Sequence, residues 1–328
     1  MIYISIILYH ARQGRLPGAG GCAILLENAG KWGDTVKNQN IAAILYALGA
    51  ALFYALNVPC SKMLLNDVAP TMMAAFLYLG ASLGVGVMYL PHFKKEKPEE
   101  RLDKQDLPYA VGMVVLDIIA PILLMLGVSM SASASASLLG NFEIVATTLI
   151  ALFLFKEKVS GRLWGAIGLI TLSSILLSFE GAGSLKFSPG SVLVLGATVC
   201  WGLENNCTRS ISEKSTYQIV AIKGFCSGAG SLIIALAVGE KIPAVRHILP
   251  ALLLGFVAYG LSIFTYIRAQ KTLGAAKTSA YYAVAPFIGA LLSFALLHEA
   301  LSATYLVALF VMLAGTAFVV RDTLSQGG

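Results

Sequence analysis

SASASASLLGNFEIVATTLIALFLFKEK, residues 131–158, is the stretch whose reading decides the fold. Its apolar run is long enough to cross a bilayer, which takes about 20 mostly apolar residues. Its first half is almost entirely small residues, and it stops at Lys156, Glu157 and Lys158. Glu143 sits near its middle. A carboxylate at that depth costs several kcal/mol unless it has a partner or a role, roughly 3 kcal/mol on insertion scales. The segment therefore reads as a membrane helix that approaches its neighbours closely and holds an acid at the midplane.

The whole chain has the same character. Of its 328 residues 57% are apolar and 12% charged, against about 25% charged in soluble domains. The expected class is all-α integral membrane protein. The net charge of +6 does not point to nucleic acid, because the basic residues fall between apolar runs and form no patch. The lipid bilayer is the partner that composition implies. Cys22, Cys60, Cys200, Cys207 and Cys226 show no paired or His-linked metal spacing and read as small core residues. No metal or cofactor is expected.

Residues 1–40 hold a short apolar run, Met1 to Tyr9, and a Gly- and charge-containing stretch. They read as a cytoplasmic extension. Ten apolar runs follow, near Ile41–Leu65, Pro70–Leu90, Leu107–Val128, Ser131–Phe155, Gly161–Phe179, Pro189–Thr208, Tyr217–Val238, Ile248–Ala269, Ala275–Leu297 and Ala303–Val320. Ser129–Met130 leaves room only for a tight turn between the third and fourth. With the N-terminus inside, 18 Lys and Arg fall on the cytoplasmic side and 4 outside, with Lys223 in a span. The positive-inside rule then places both termini in the cytoplasm.

The two halves resemble one another. With Glu157 set against Glu299, Ser137 meets Ser279 and Ser160 meets Ser302. Earlier, Leu48-Gly49-Ala50 meets Leu195-Gly196-Ala197, Cys60 meets Cys207 and Lys62 meets Arg209. This divides the chain into repeats at 41–180 and 189–321. Each holds five spans, an odd number, so the two repeats are expected to be inverted in the membrane.

On Ala136–Trp164 and Thr278–Leu306, and on Gly49–Lys62 and Gly196–Arg209, the chain resembles the EamA type of the drug/metabolite transporter superfamily. The resemblance covers roughly Ile41 to Val320. It implies ten helices and an inner-membrane carrier, usually an exporter of metabolites, amino acids or drugs, without ATP hydrolysis. Members often carry a proline midway in both the fourth and ninth spans. Pro286 supplies the second, but Ile144 stands at the first, implying that the halves contribute unequally.

Four charged residues lie within spans: Asp117, Glu143, Glu204 and Lys223. Such residues usually face the bundle interior and mark pathways or proton relays. Glu143 shares a face with Ala136, Gly140 and Thr147, beside Asn141. Asp117 stands four residues before Pro121, where a freed carbonyl permits a kink. Glu204 is read near the cytoplasmic end, able to snorkel to water, with Lys223 as its simplest neutralising partner. Two acids then remain, and at least one is expected to exchange a proton near neutral pH. A surplus of acid suits a cationic substrate, a proton, or exchange of the two. Asn57, Trp201, Tyr259, Tyr266, Tyr282 and Pro286, with Tyr54, are candidate walls of a cavity. Gly80/Gly84 and Gly224/Gly228 are small-xxx-small pairs, which favour helix packing and leave a homodimer open.

The function expected is secondary transport of a small-molecule substrate: proton-coupled export of metabolites, amino acids or organic cations. A passive facilitator or channel is the alternative. No GxxxxGK[ST] is present, and His10, His92, His247 and His298 lie in loops or at span ends. Both observations argue against ATP drive and against an enzyme.

Overall fold

A computed structural model describes residues 40–155, 159–179, 188–273, 278, 281–299 and 302–326. The extension 1–39 and Glu157 lie outside the described residues. The rest forms an all-α bundle. Seven helices are long and apolar enough to cross a membrane. They are α1 (Asn40–Leu64), α2 (Pro70–Tyr89), α3 (Leu107–Met130), α4 (Ser133–Ile150, continuing to Phe155), α7 (Thr216–Ala237), α8 (Val245–Leu273) and α10 (Ala303–Gln326). Two apolar helices are shorter, α5 (Gly161–Leu177, 17 residues) and α9 (Ala285–Leu297, 13 residues). The remaining helix, α6 (Pro189–Ser210), has 22 residues, but Glu204, Asn205, Asn206 and Arg209 dilute its apolar character.

Local signals set the boundaries. Proline occupies the first turn of α2, α3, α6 and α9, where a missing N–H costs nothing. The side chains of Ser160, Ser188 and Ser215 accept from Leu163, Ser191 and Gln218 N–H at the starts of α5, α6 and α7. Helix α3 runs on through Met130, so the turn expected at Ser129–Met130 lies at Ser131–Ala132 instead.

Helix α7 ends in a Schellman motif. Gly239 adopts φ +82°, Gly239 N–H reaches Leu236 O at 3.1 Å and Glu240 N–H reaches Ala235 O at 2.9 Å. On the same side of the bundle Lys62 donates to the carbonyls of Val128, Ser129 and Ser131 at 2.6, 3.1 and 2.9 Å, closing the last turn of α3.

Helix packing places α2 against α7 and α8, α3 against α6, α5 against α10, and α9 against α1 and the first part of α4; the rest of α4 lies on α6. Small residues allow these approaches. A Cβ on Gly224 would stand 2.8 Å from Tyr78 O, and one on Gly80 2.0 Å from Leu252 O. The glycine pairs of α2 and α7 are thus used within the chain.

Three helices are interrupted near their middles. Helix α1 turns at Leu56, where Leu56 N–H bonds Phe53 O at 3.3 Å. Helix α4 tightens at Gly140–Asn141: Gly140, Asn141, Glu143 and Ile144 N–H all bond the carbonyl three residues back, at 3.1–3.2 Å. That is a 3₁₀ pitch within an α-helix. The ninth segment, expected to run unbroken from Ala275, is interrupted at Ala283–Val284 just before Pro286. In α8 a π-helical stretch spans Phe256–Leu261.

Candidate functional site

The interruptions bring the in-span polar residues together. Lys223, on α7, lies 2.8 Å from Glu204 Oε1 of α6 and 3.0 Å from Asp117 Oδ2 of α3. Asp117 Oδ1 accepts the Tyr78 hydroxyl of α2 at 2.7 Å. Thr208 Oγ1 donates to Glu204 across one turn. One ammonium is therefore shared by two carboxylates, and four helices meet at this knot. All three charged groups are buried. Glu204 is only 2% exposed, which corrects its reading as a snorkelling residue. Its carboxylate turns inward because Lys223 and Thr208 satisfy it there, and a buried charge persists only when so partnered.

Glu143 takes a separate place. It opens the second part of α4, and its Oε1 accepts Asn205 Nδ2 from α6 at 2.6 Å. Among the described residues no cation stands within ion-pair distance of it. The face expected through Ala136, Gly140, Glu143 and Thr147 does not run straight, because the 3₁₀ turn at Gly140–Asn141 rotates the two parts of the helix. Glu143 is half-buried, and Tyr54 and Tyr282 lie within electrostatic reach of it.

Those rings form a continuous aromatic group. Tyr54 meets Trp201, Tyr259 and Tyr282 with centroids 6.5, 6.1 and 5.8 Å away. Tyr282 meets Tyr266 at 5.1 Å, and Tyr259 meets Tyr78 at 4.9 Å. Asn57, just past the interruption in α1, donates to Tyr259 OH at 3.2 Å and receives Ser61 Oγ at 3.2 Å. The π-helical turn of α8 carries Tyr259 into this cluster. Tyr54, Tyr266, Tyr282 and Pro286 are half-buried, as Glu143 is. Trp201 is 8% exposed and closes one side.

At the crossing of α4 and α9, a Cβ on Gly140 would lie 3.7 Å from Pro286 Cγ, and one on Gly289 3.2 Å from Ser137 Oγ. Asn141 and Ser137 are buried there, and neither Asn141 Nδ2 nor Ser137 Oγ has a hydrogen-bond partner among the described residues. Unsatisfied buried donors call for an explanation in ligand or water.

The residues singled out in the sequence thus gather in an ion knot (Asp117, Glu204, Lys223) and an aromatic crevice (Tyr54, Asn57, Trp201, Tyr259, Tyr266, Tyr282), linked through Tyr78, with Glu143 on Asn205 and Asn141 and Pro286 where α4 tightens and α9 begins. Tyr78, Thr208 and Ser137 complete them. Tyr78 was hidden in an apolar run, where a tyrosine reads as packing. Among the described residues no His/Cys/Asp/Glu group has metal-binding geometry. Cys60, Cys200, Cys207 and Cys226 are free thiols, but the first three are half-buried and Cys226 is exposed, which corrects their reading as core residues.

Comparison with known proteins agrees with this architecture. A crystal structure superposes with a TM-score of 0.65 at 18% identity, covering 86% of this chain and 96% of the other, a likeness of fold. A protein of Methanothermobacter thermautotrophicus named "uncharacterized transporter" is 25% identical over 286 residues, 81% of this chain and 82% of its own. The "uncharacterized transporter YyaM" of Bacillus subtilis is 23% identical over 273 residues, 79% of this chain and 87% of its own. The EamA-like transporter family matches at residues 41–179 and again at 188–321. With that double match over an all-α membrane bundle, the chain belongs to the EamA-like transporter family and is a multi-pass membrane transporter.

Proposed function

We propose that the protein is a secondary active transporter that exports small metabolites, amino acids or organic cations across the plasma membrane, coupled to protons, with both termini in the cytoplasm. Residues 41–180 and 189–321 act as two inverted five-helix units after a cytoplasmic extension of residues 1–40. The packing supports this reading. Exchanging each helix with the one five places on maps α2–α7, α5–α10 and α4–α9 onto themselves and α3–α6 onto α8–α1. The interruptions of α4 and the ninth segment also fall within one residue of the register set by Glu157 and Glu299.

The observation that carries the proposal is the separation of the charges. Asp117 and Glu204 already share Lys223, whereas Glu143 has an amide for a partner and lies beside half-buried tyrosines. An acid without a counter-ion can take a proton or a cationic substrate in turn, and that is the requirement for coupling the two. Asn141 and Ser137 supply hydrogen bonds to the substrate, and the rings of Tyr54, Trp201 and Tyr282 enclose its apolar or cationic part.

Metabolite profiling of cells with and without the protein, followed by counterflow in proteoliposomes with the leading compounds, tests the reading. Glu143→Gln is expected to fold normally and to transport without pH dependence. Undiminished pH-dependent flux in that variant overturns the assignment. Flux that ignores an imposed proton gradient in the native protein makes it a passive facilitator.

A further inference from the structure

Three loop carboxylates, Glu96, Glu240 and Glu299, bind helix starts across the bundle, and the first two are reciprocal. Glu240 follows the Schellman turn that ends α7. Its two oxygens accept Thr71 N–H at 3.1 Å and Met72 N–H at 2.7 Å, the first free amides of α2 after Pro70. At the other end of the same helix pair, Glu96, in the loop after α2, grips the start of α7. It accepts Ser215 Oγ, the cap of α7, and Gln218 Nε2 at 3.3 Å. Tyr89 OH ties the same carboxylate to the end of α2 at 2.5 Å, and Arg101 lies 3.9 Å away. The Glu96 side chain is only 8% exposed. The strap is completed by Ser215 N–H to Glu100 O at 2.6 Å and Leu102 N–H to Gln218 Oε1 at 2.9 Å. Each helix of the pair is thus held at its start by an acid from the loop that follows the other.

Between these ends α2 and α7 touch backbone to backbone. A Cβ on Gly224 would meet Ser82 N at 2.8 Å, and one on Gly228 would meet Leu79 N at 2.8 Å. The same Cβ on Gly228 would meet Leu79 Cγ at 2.7 Å, so the two helices pack with no room between them.

We infer that α2 and α7 form one body that stays closed on both faces of the membrane, latched by Glu96 on one face and Glu240 on the other. Access to the crevice then opens at the interrupted helices α1, α4 and α9. The inference rests on the transporter reading for that last consequence alone; the closed body itself needs no substrate.

Hydrogen–deuterium exchange of the full chain in lipid nanodiscs tests it. In the wild type, residues 71–77 and 216–222 are expected to exchange as a single mass envelope. Glu240→Gln is expected to speed exchange at 71–74 about five-fold, the loss of one helix cap, and to leave 216–219 unchanged. Glu96→Gln is expected to do the converse. Two mass envelopes at either helix start of the wild type would show the pair opening and would overturn the inference. So would unchanged exchange in both variants. The wild-type measurement requires no variant to fold, and absence of transport in a separate assay leaves the result standing.

Discussion

Lys223 and Asp117 form a buried ion pair, Nζ to Oδ2 3.0 Å, whose cation is shared with Glu204 at 2.8 Å. Removing the cation strands two acids in low dielectric, and breaking such a pair costs about 3–5 kcal/mol. Lys223→Met is therefore expected to lower the unfolding temperature sharply in detergent. Adding Asp117→Asn to it should recover part of the loss, because a neutral amide no longer needs the ammonium. An unchanged midpoint in the single variant would contradict this account.

Two glycines of α2 should respond oppositely to the same change. A Cβ on Gly80 would stand 2.0 Å from the Leu252 carbonyl, whereas one on Gly86 meets nothing within 4 Å. Gly80→Ala is expected to destabilise by about 1–3 kcal/mol through overpacking. Gly86→Ala should be neutral or stabilising by up to about 1 kcal/mol through helix propensity. Thermal unfolding of both variants side by side checks the sign of each.

Gly239 carries φ +82°, a conformation that costs other L-residues roughly 1–2 kcal/mol. Gly239→Ala should therefore destabilise by about that amount, and Gly239→Asn by less, since asparagine tolerates the left-handed region. Because this turn aims Glu240 at α2, the alanine variant should also speed amide exchange at Thr71 and Met72.

Glu299 accepts Ser133 N–H at 2.6 Å and Ala134 N–H at 2.8 Å at the start of α4. Glu299→Gln keeps the shape and loses the charge that complements the helix end. A loss of about 1 kcal/mol is expected, read as a lower unfolding temperature that added salt does not restore.

Outside the bundle, the hydrogen bond from Lys214, 3.0 Å from Asp103 Oδ2, is the largest of the effects that hold the Asp103 carboxyl below its ordinary value. The same hydrogen bond raises the Lys214 ammonium above its own. The acid's contribution is present above the ordinary aspartate value and fades as pH falls through its lowered one. The base's contribution is present below the ordinary lysine value and fades as pH rises through its raised one. The 90–106 loop should thus hold its anchorage unchanged from roughly pH 5 to 9. Limited proteolysis at Lys94, Lys95 and Lys97, measured against an unstructured peptide to correct for the protease's own pH dependence, should keep one rate across that window and accelerate on either side of it.

Much of this arrangement was legible before any coordinates. The all-α membrane class, the Lys223–Glu204 pair and the packing use of the paired glycines follow from residue type and spacing. The depth of Glu204 was not legible, because an expected span end at Thr208, four residues away, suggested water, while its partners came from α7 and from its own next turn. The interruption of α4 was missed for a different reason. Gly140 read as part of a small, polar face with Ala136, Glu143 and Thr147 on a regular helix, and only the hydrogen bonds reveal a tighter pitch there. Glu96 and Glu240 carry no sequence signal of their role, since nothing in a linear pattern says which distant helix start a loop acid will reach.

The way α4 bends has a consequence for engineering. Its bend needs no proline: a glycine and an asparagine wind it tighter, and both can be exchanged for strong helix formers. Gly140→Ala with Asn141→Ala would let that rod run straight, whereas its counterpart, with Pro286 built in, could not follow. One half of the carrier can thus be stiffened by choice of side chain alone, which slower amide exchange at residues 140–144 would report.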